Sequence, residues 1–432
     1  MIDALINKQP RHYDVVIVGG GQAGLSASFY LQKQNINHLV IEKHTVMHSW
    51  SEQRWDSFSL VTPNWQCDLP GHPYDGDDPN GFMVRDEIVA YLERFAKKVN
   101  APVIENTTVK NINPIDSGRY AKGNYYIETN NGTFTADQII VAAGGYHSPI
   151  IPPMAERIPD SVTQIHSAQY KNPKDLPEGA VMVVGSGQSG AQIAEDLHLE
   201  GRKVYLATGD APRCARFYRG RDVVDWLADM KYYEMPVTEH PLREGVRDNT
   251  NHYVTGRDGG RDIDLRQFAK EGMELFGLLE DFDGVNFKFT PNLIENLDRA
   301  DKVYNNINQR IDNYIKENYI DAPEASVYEP VWQPDGERET LSLAQTDIST
   351  VLWAIGFRSE FNWLNFDIFN SHGYPIHERG MTEQPGLYFI GLPWLHTWGS
   401  GRFSGVAGDA KFICDQVIDY IETCCTTERK SA

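Results

Sequence analysis

Cysteine is scarce in this chain: five in 432 residues, an odd number and thinly spread. Such usage excludes a small secreted scaffold stapled by disulfides and fits a reducing compartment. Positive charge is also short, with 40 Lys and Arg against 60 Asp and Glu, a formal net charge of −20. A field of that sign repels nucleic-acid phosphates and anionic headgroups, so neither nucleic acid nor a membrane surface is an expected partner. No apolar run approaches the ~18 to 20 residues that a spanning helix needs. Residues 1–11 carry Asp3 and Lys8 and no hydrophobic stretch of signal-peptide length, so the expected setting is cytoplasmic. The 13 histidines show no HExxH spacing and the cysteines no paired CxxC, so no metal site is expected. Repeats and low-complexity tracts are missing as well.

What is present is a globular composition, 41% apolar and 23% charged, over a length that calls for two or three modules. Residues 13–24 read YDVVIVGGGQAG. The β-branched run 15–18 suits a strand buried on both faces of a parallel sheet. It runs directly into Gly19-x-Gly21-x-x-Gly24, then a helical periodicity over 25–34, then a second apolar run that ends in Glu42. Each part has a physical task in holding a dinucleotide. Gly19 permits the tight turn, Gly21 lets the backbone approach a pyrophosphate, and Gly24 lets helix and strand pack closely. Glu42 is placed to accept ribose hydroxyls.

The feature recurs at residues 180–190, AVMVVGSGQSG, with Gly185, Gly187 and Gly190 in the glycine positions and Gln188 and Ser189 between them. At the offset matching Glu42 stands Thr208, not an acid, and Arg213, Arg216, Arg219 and Arg221 follow. A missing carboxylate with downstream guanidiniums is how such a site accepts a 2′-phosphate, so NADPH is expected here. The alternative is a solvated arginine loop, with Asp210 and Asp222 nearby. Two dinucleotide folds imply two dinucleotides, the obvious pair being a flavin and a nicotinamide. The fold class expected is α/β, two Rossmann-like dinucleotide-binding domains with the second inserted in the first. The expected boundaries are 1–160, 161–344 with a helical insertion at about 222–325, and 345–432. A helix is expected from Pro291 to about Asn318. Its apolar stripe packs on its own domain, caps the site or forms a homodimer contact. A second helix is expected from near Ser404 to about Ile421.

With these features the chain resembles the class B flavin-dependent monooxygenases, the family of bacterial flavin-containing monooxygenases and plant YUCCA enzymes. The resemblance rests on both glycine fingerprints, on residues 165–170 (IHSAQY) and 353–357 (WAIGF), and on 50–96. The family's linker motif resembles FxGxxxHxxxY. His166 and Tyr170 match it, whereas Ile158 and Asp160 stand where the aromatic and glycine belong. The competing flavin family, the disulfide reductases, needs redox cysteines two or four residues apart. Here Cys67, Cys214 and Cys414 are isolated, and Cys424-Cys425 lies in a polar tail.

The resemblance implies that NADPH reduces FAD and that a flavin (hydro)peroxide passes one atom of dioxygen to a small organic substrate. N-oxygenation, S-oxygenation and Baeyer–Villiger-type oxygenation all remain open. So do two other roles, an NADPH oxidase or dehydrogenase and a non-catalytic flavin sensor. Asn64 is the candidate catalytic amide, with a turn-forming role as its alternative. Trp50, Arg54 and Trp55 are expected against FAD, together with Gln22, Ala23, Lys43, Val109, Ala143 and Gly391. His166 either touches nicotinamide or braces the linker. Trp394, His396 and Trp398 form a substrate wall or belong to the core.

Overall fold

A computed structural model describes residues 10–115 and 124–431, with side chains described to residue 423. The opening residues 1–9 and the side chains of Cys424 and Cys425 lie outside the described residues. The first sheet has seven strands. Its parallel part joins β1 (Arg11–Val18), β2 (His38–Ile41) and β3 (Gly132–Val141), with Val103–Ile104 outside β2. The long strand β3 serves two partners on one edge. Its first half pairs antiparallel with Tyr125–Thr129, and its last residues pair parallel with Leu387–Phe389. The chain thus returns to the first sheet more than 240 residues after leaving it.

Period-two alternation in β1 explains why the run 15–18 is apolar throughout. Val15 and Ile17 pack into one cluster with Leu25 and Leu31 of α1 (Gln22–Lys33) and with Ile413 and Val417 of the closing helix Val406–Ser431. Val16 and Val18 face the other side, against Ile139, Phe361 and Phe389. That closing helix is the one expected from near Ser404.

The second sheet is wholly parallel. Its strands are β4 (Thr163–His166), β5 (Ala180–Val184), β6 (Val204–Ala207), β7 (Glu274–Phe276) and β8 (Ile348–Trp353), in the order β4-β8-β5-β6-β7. Val181 and Val183 pack on α2 (Gln188–Leu199), and Met182 and Val184 pack on Phe276, Phe282 and Phe287. Two expected boundaries need correction. Strand β8, assigned by the boundary at 345 to the closing part of the first domain, lies at the heart of the second sheet, between β4 and β5. The segment 222–325, expected as a helical insertion, also contains β7 and the antiparallel pair Leu279–Phe282 and Asn286–Phe289. Both errors have one cause: an apolar run shows that a strand is buried, but not in which sheet.

The long helix α3 (Leu293–Glu317) falls where the 3.6-residue apolar period places it. Pro291 stands before the cap residue Asn292, and the free amides of Leu293 and Ile294 donate to the Glu337 carboxylate at 3.0 and 2.9 Å. Its stripe is consumed inside the chain. Leu293 and Leu297 join the core beneath the second sheet, and Ile311 and Ile315 pack around Trp226.

The two crossings of the chain between sheets pair with each other, Ser148–Pro149 against Phe357–Arg358. A buried carboxylate ties the modules together. Asp196 on α2 accepts from Ser57 Oγ, Tyr170 OH and Arg257 Nη1, each at 2.6 Å. Asp196→Ala is expected to cost about 3 kcal/mol, because it leaves a half-buried guanidinium and a buried phenol without their acceptor. Asp56→Ala, on the solvated Arg85 pair, is expected to cost under about 1 kcal/mol. Thermal denaturation of the two variants checks the contrast.

Candidate functional site

Both glycine fingerprints lie at the carboxyl ends of their parallel strands, where ligands of open α/β sheets bind. The first turn needs its glycine, since Gly19 has a φ of +113° and Gly185 repeats it at +102°. An added Cβ on Gly24 would sit 1.9 Å from the Gly19 carbonyl oxygen, and one on Gly190 would sit 1.9 Å from that of Gly185. Each helix is therefore pressed onto the turn that precedes it.

Neither helix start is closed by the protein. Gly21 and Gly187 are the cap residues of α1 and α2, no side chain bonds their first amides, and neither first turn holds an acid. Elsewhere in the chain Asp222 and Asp264 cap their helices with side-chain oxygens. A Cβ built on Gly21 would meet nothing within 4 Å. Unfilled N–H groups, a positive dipole end and open space are what a pyrophosphate requires. The second cradle is partly overhung, with Thr250 Cγ2 3.1 Å from where a Gly187 Cβ would lie and Gln188 Nε2 bonded to the Val254 carbonyl at 2.7 Å.

Both cradles open onto one cleft of about 1500 Å³. That is larger than a usual single-ligand pocket and gives room for more than one ligand. Glu42 lines it, its carboxylate fixed by the Gly20 amide at 2.6 Å and the His44 amide at 2.8 Å. Of the first-site residues expected from sequence, Gly19, Gly21, Gln22, Ala23, Lys43 and Val109 also line this cleft, as do Trp50, Arg54, Trp55, Ala143 and Gly391. Gln22 joins two of its walls, accepting from Trp50 Nε1 at 2.9 Å and donating to the Gly401 carbonyl at 3.3 Å. Trp50 in turn stacks on Phe403 with ring centroids 5.0 Å apart, and the Arg54 guanidinium lies 4.8 Å from the Trp50 ring. Gly24 and Gly190 are packing positions behind the cradles.

At the second site Gly185, Gly187, Gln188 and Ser189 line the cleft. The arginines expected to bind the 2′-phosphate do not. Arg213 is buried between Asp264 at 3.2 Å and Asp301 at 3.3 Å, with Tyr328 against its face. Arg216 is buried against Asp222 at 2.5 Å and the Val61 carbonyl at 2.7 Å. Arg219 and Arg221 pair with Asp312 and Asp229. Thr208 turns inward to the Phe276 carbonyl at 2.8 Å. The physical reason is charge neutralisation: the downstream acids of this acidic chain claim the guanidiniums before a ligand can.

The catalytic amide also moves. Asn64 is buried outside the cleft, donating to the Asp78 carbonyl at 2.9 Å and accepting from the Met83 amide at 2.7 Å. This is the turn-forming alternative. Two residues on, Gln66 is 3% exposed and lines the cleft, and its Oε1 has no hydrogen-bond partner among the described residues. No local sequence signal distinguishes the two amides. His166 braces the linker, with Nε2 3.0 Å from the Gly356 carbonyl oxygen and Nδ1 accepting from the Ala168 amide at 3.2 Å. Burial lowers its pKa and keeps the ring neutral. Of the expected substrate wall, Trp394 reaches the cleft, whereas His396 and Trp398 stand behind it. Sequence reasoning missed the second-module loop 244–251, which lines the cleft beside Trp394 with Arg247, whose Nε donates to the Trp394 carbonyl at 3.1 Å, and Asn251.

The described cysteines Cys67, Cys214 and Cys414 are all free, and burial pushes each thiol up to about 12. Burial thus disfavours the thiolate at each, so none is poised for disulfide exchange. Among the described residues one group of side chains with the spacing to hold a metal, His12, Asp14 and Asp137, lies at the end of β1 away from the cleft and takes no part in it.

The family of pyridine nucleotide-disulphide oxidoreductases matches residues 16–253, more than half of the chain. The chain belongs to this family. A relative from Geobacillus kaustophilus, named an uncharacterized CzcO-like oxidoreductase, is 30% identical over 412 residues, covering 94% of this chain and 99% of its own. The probable indole-3-pyruvate monooxygenase YUCCA10 of Arabidopsis thaliana is 32% identical over 189 residues, 42% of this chain and 48% of its own. Among solved structures, a flavin monooxygenase mutant from Stenotrophomonas maltophilia superposes with a TM-score of 0.65 at 18% identity, covering 95% of this chain and 99% of the other. OTEMO, solved with FAD and NADP, superposes at 0.57 and 16% identity over 96% and 87%. These matches agree with the expected resemblance to class B flavin-dependent monooxygenases, and the expected α/β fold with two parallel-strand sheets holds. No described helix is long and apolar enough to cross a membrane.

Arg213→Ala is expected to lower stability by about 3 kcal/mol by removing the cation shared by Asp264 and Asp301, of which Asp301 keeps Arg266 at 2.8 Å, while the ratio of Michaelis constants for NADPH and NADH stays within twofold. A selective loss of NADPH would restore the phosphate role. Denaturation and steady-state kinetics on the same preparation read both quantities.

Proposed function

We propose that this chain holds FAD at the Gly21 cradle and NADPH at the Gly187 cradle and inserts one atom of dioxygen into a small organic molecule. The observation that carries this reading is the pair of uncapped helix starts, Gly21 and Gly187, facing one shared cleft. Two dinucleotides held on these cradles would share that cleft. The chain lacks a paired redox cysteine among its described residues, which favours dioxygen over a disulfide as the final acceptor.

When bound, FAD supplies the acceptor for hydride and the place at which dioxygen is reduced. The balance is one NADPH, one proton and one dioxygen consumed per oxygenated product, NADP⁺ and water. The protein's own part is positioning and exclusion. Glu42 offers a fixed carboxylate to a ribose at the first site. Trp50, Phe403 and Trp394 form an apolar wall that keeps bulk water from the reacting centre. Gln66 offers the amide expected of Asn64, and its buried oxygen, without a partner among the described residues, would find one on a bound ligand.

Purified protein is expected to be yellow, to bleach with NADPH, and to form product labelled from isotopically labelled dioxygen, one atom per NADPH. Failure to bleach, or hydrogen peroxide as the sole product across a panel of amines, thioethers and ketones, overturns the reading. Gly21→Val is expected to abolish flavin retention, because its side chain enters the open space of the first cradle; flavin retained in that variant removes FAD from that site. Gln66→Leu is expected to lower labelled product by about tenfold or more and to raise peroxide in proportion.

A further inference from the structure

Most arginines described above face a carboxylate, as a chain with 60 acids and 40 Lys and Arg would lead one to expect. Arg402 does not. It lines the cleft half-buried, and its Nη1 donates to the Trp398 carbonyl while Nη2 donates to Asn251 Oδ1 at 2.9 Å. Its guanidinium lies 4.0 Å from the centroid of the Trp398 ring. Every one of these partners is neutral. The titratable groups around it are tyrosines, Tyr146, Tyr233 and Tyr232, and burial lowers its pKa with no acid to oppose that effect. Arg54 shares the condition: it also faces Tyr146, stacks on Trp50 and Phe58, and has no carboxylate partner among the described residues.

A partly buried guanidinium held only by neutral groups carries an uncompensated desolvation cost, and an anion arriving in the cleft would offset it. Two of its five donors are engaged, which leaves three for a ligand. The surroundings narrow the ligand further. Trp394 is buried at the cleft wall, Trp398 stacks beneath the guanidinium, and Tyr233 packs on Trp398 at 4.5 Å. The dinucleotide phosphates already have helix starts at Gly21 and Gly187, so Arg402 is surplus to the two cradles. We propose that Arg402 is the counter-ion for a carboxylate on the substrate, so that the cleft selects an anionic small molecule with an apolar body. This rests on the monooxygenase reading of the same cleft, because it assigns the cleft's remaining space to a substrate.

The test needs no turnover, so its failure is separable from failure of that reading. The full-length protein as purified is titrated calorimetrically with 4-methylbenzoate and with its neutral isostere 4-methylbenzamide. Wild type is expected to bind the carboxylate about tenfold tighter or more. Arg402→Met is expected to bring the two to parity, and Arg402→Lys to keep part of the preference. Where Arg402→Met fails to fold, Arg402→Gln carries the same comparison. Equal binding of the pair by wild type, or no binding of the carboxylate, overturns the proposal. A variant that loses FAD or weakens NADP⁺ as much as the carboxylate also overturns it, and reassigns Arg402 to a cofactor phosphate.

Discussion

The close approach of each fingerprint helix to its own turn is the contact on which the rest of the molecule depends. No side chain fits at Gly24 or Gly190, because the carbonyl of the first glycine already occupies the place of a Cβ. That proximity aims the helix start, with its unfilled amides, past the strand end and into the cleft. It also sets the height of the helix above the sheet, and with it the alternate packing of Val15 and Ile17 on one side and Val16 and Val18 on the other. Fold and binding site are therefore products of a single steric condition, met twice in one chain.

Two such units make one cleft only if their mutual orientation is held. The chain crosses between sheets twice, and the crossings pair with each other. Asp196 adds a polar lock, drawing together a first-module loop through Ser57, the linker through Tyr170 and a second-module loop through Arg257. Ser57 lies three residues from Arg54 and two from Trp55, both of which line the cleft. The same carboxylate that orients the modules thus steadies the segment that faces the first ligand.

Legibility in the sequence followed the range of the interaction. Features set by neighbours in the chain were readable: both fingerprints, Glu42, the buried run 15–18 and the stripe of α3 follow from local periodicity and spacing. Features set by distant partners were not. Strand β8 reads like any buried strand, and only its pairing with β4 and β5 assigns it to the second sheet. Asn64 and Gln66 are both amides in one short stretch, and the carbonyl of Asp78 and the amide of Met83 decide which of them is engaged. The arginines after Thr208 matched a phosphate-binding pattern, but Asp264, Asp301 and Asp222 arrive from elsewhere in the fold to neutralise them.

That last failure alters how an acidic protein is understood to hold two polyanionic cofactors. A net charge of −20 invites a search for compensating arginine clusters, yet the densest cluster in the chain is internal structure. On the proposed reading the attraction for phosphate comes instead from main-chain amides at two helix starts that no acid in the first turn neutralises. Backbone donors are fixed in place by the packing of Gly24 and Gly190, so they need little reorganisation on binding. Guanidiniums that do reach the cleft without an acid, Arg54 and Arg402, then stand out against this background. In a chain so rich in carboxylates, a cation left without one marks the place where the missing negative charge belongs to a ligand.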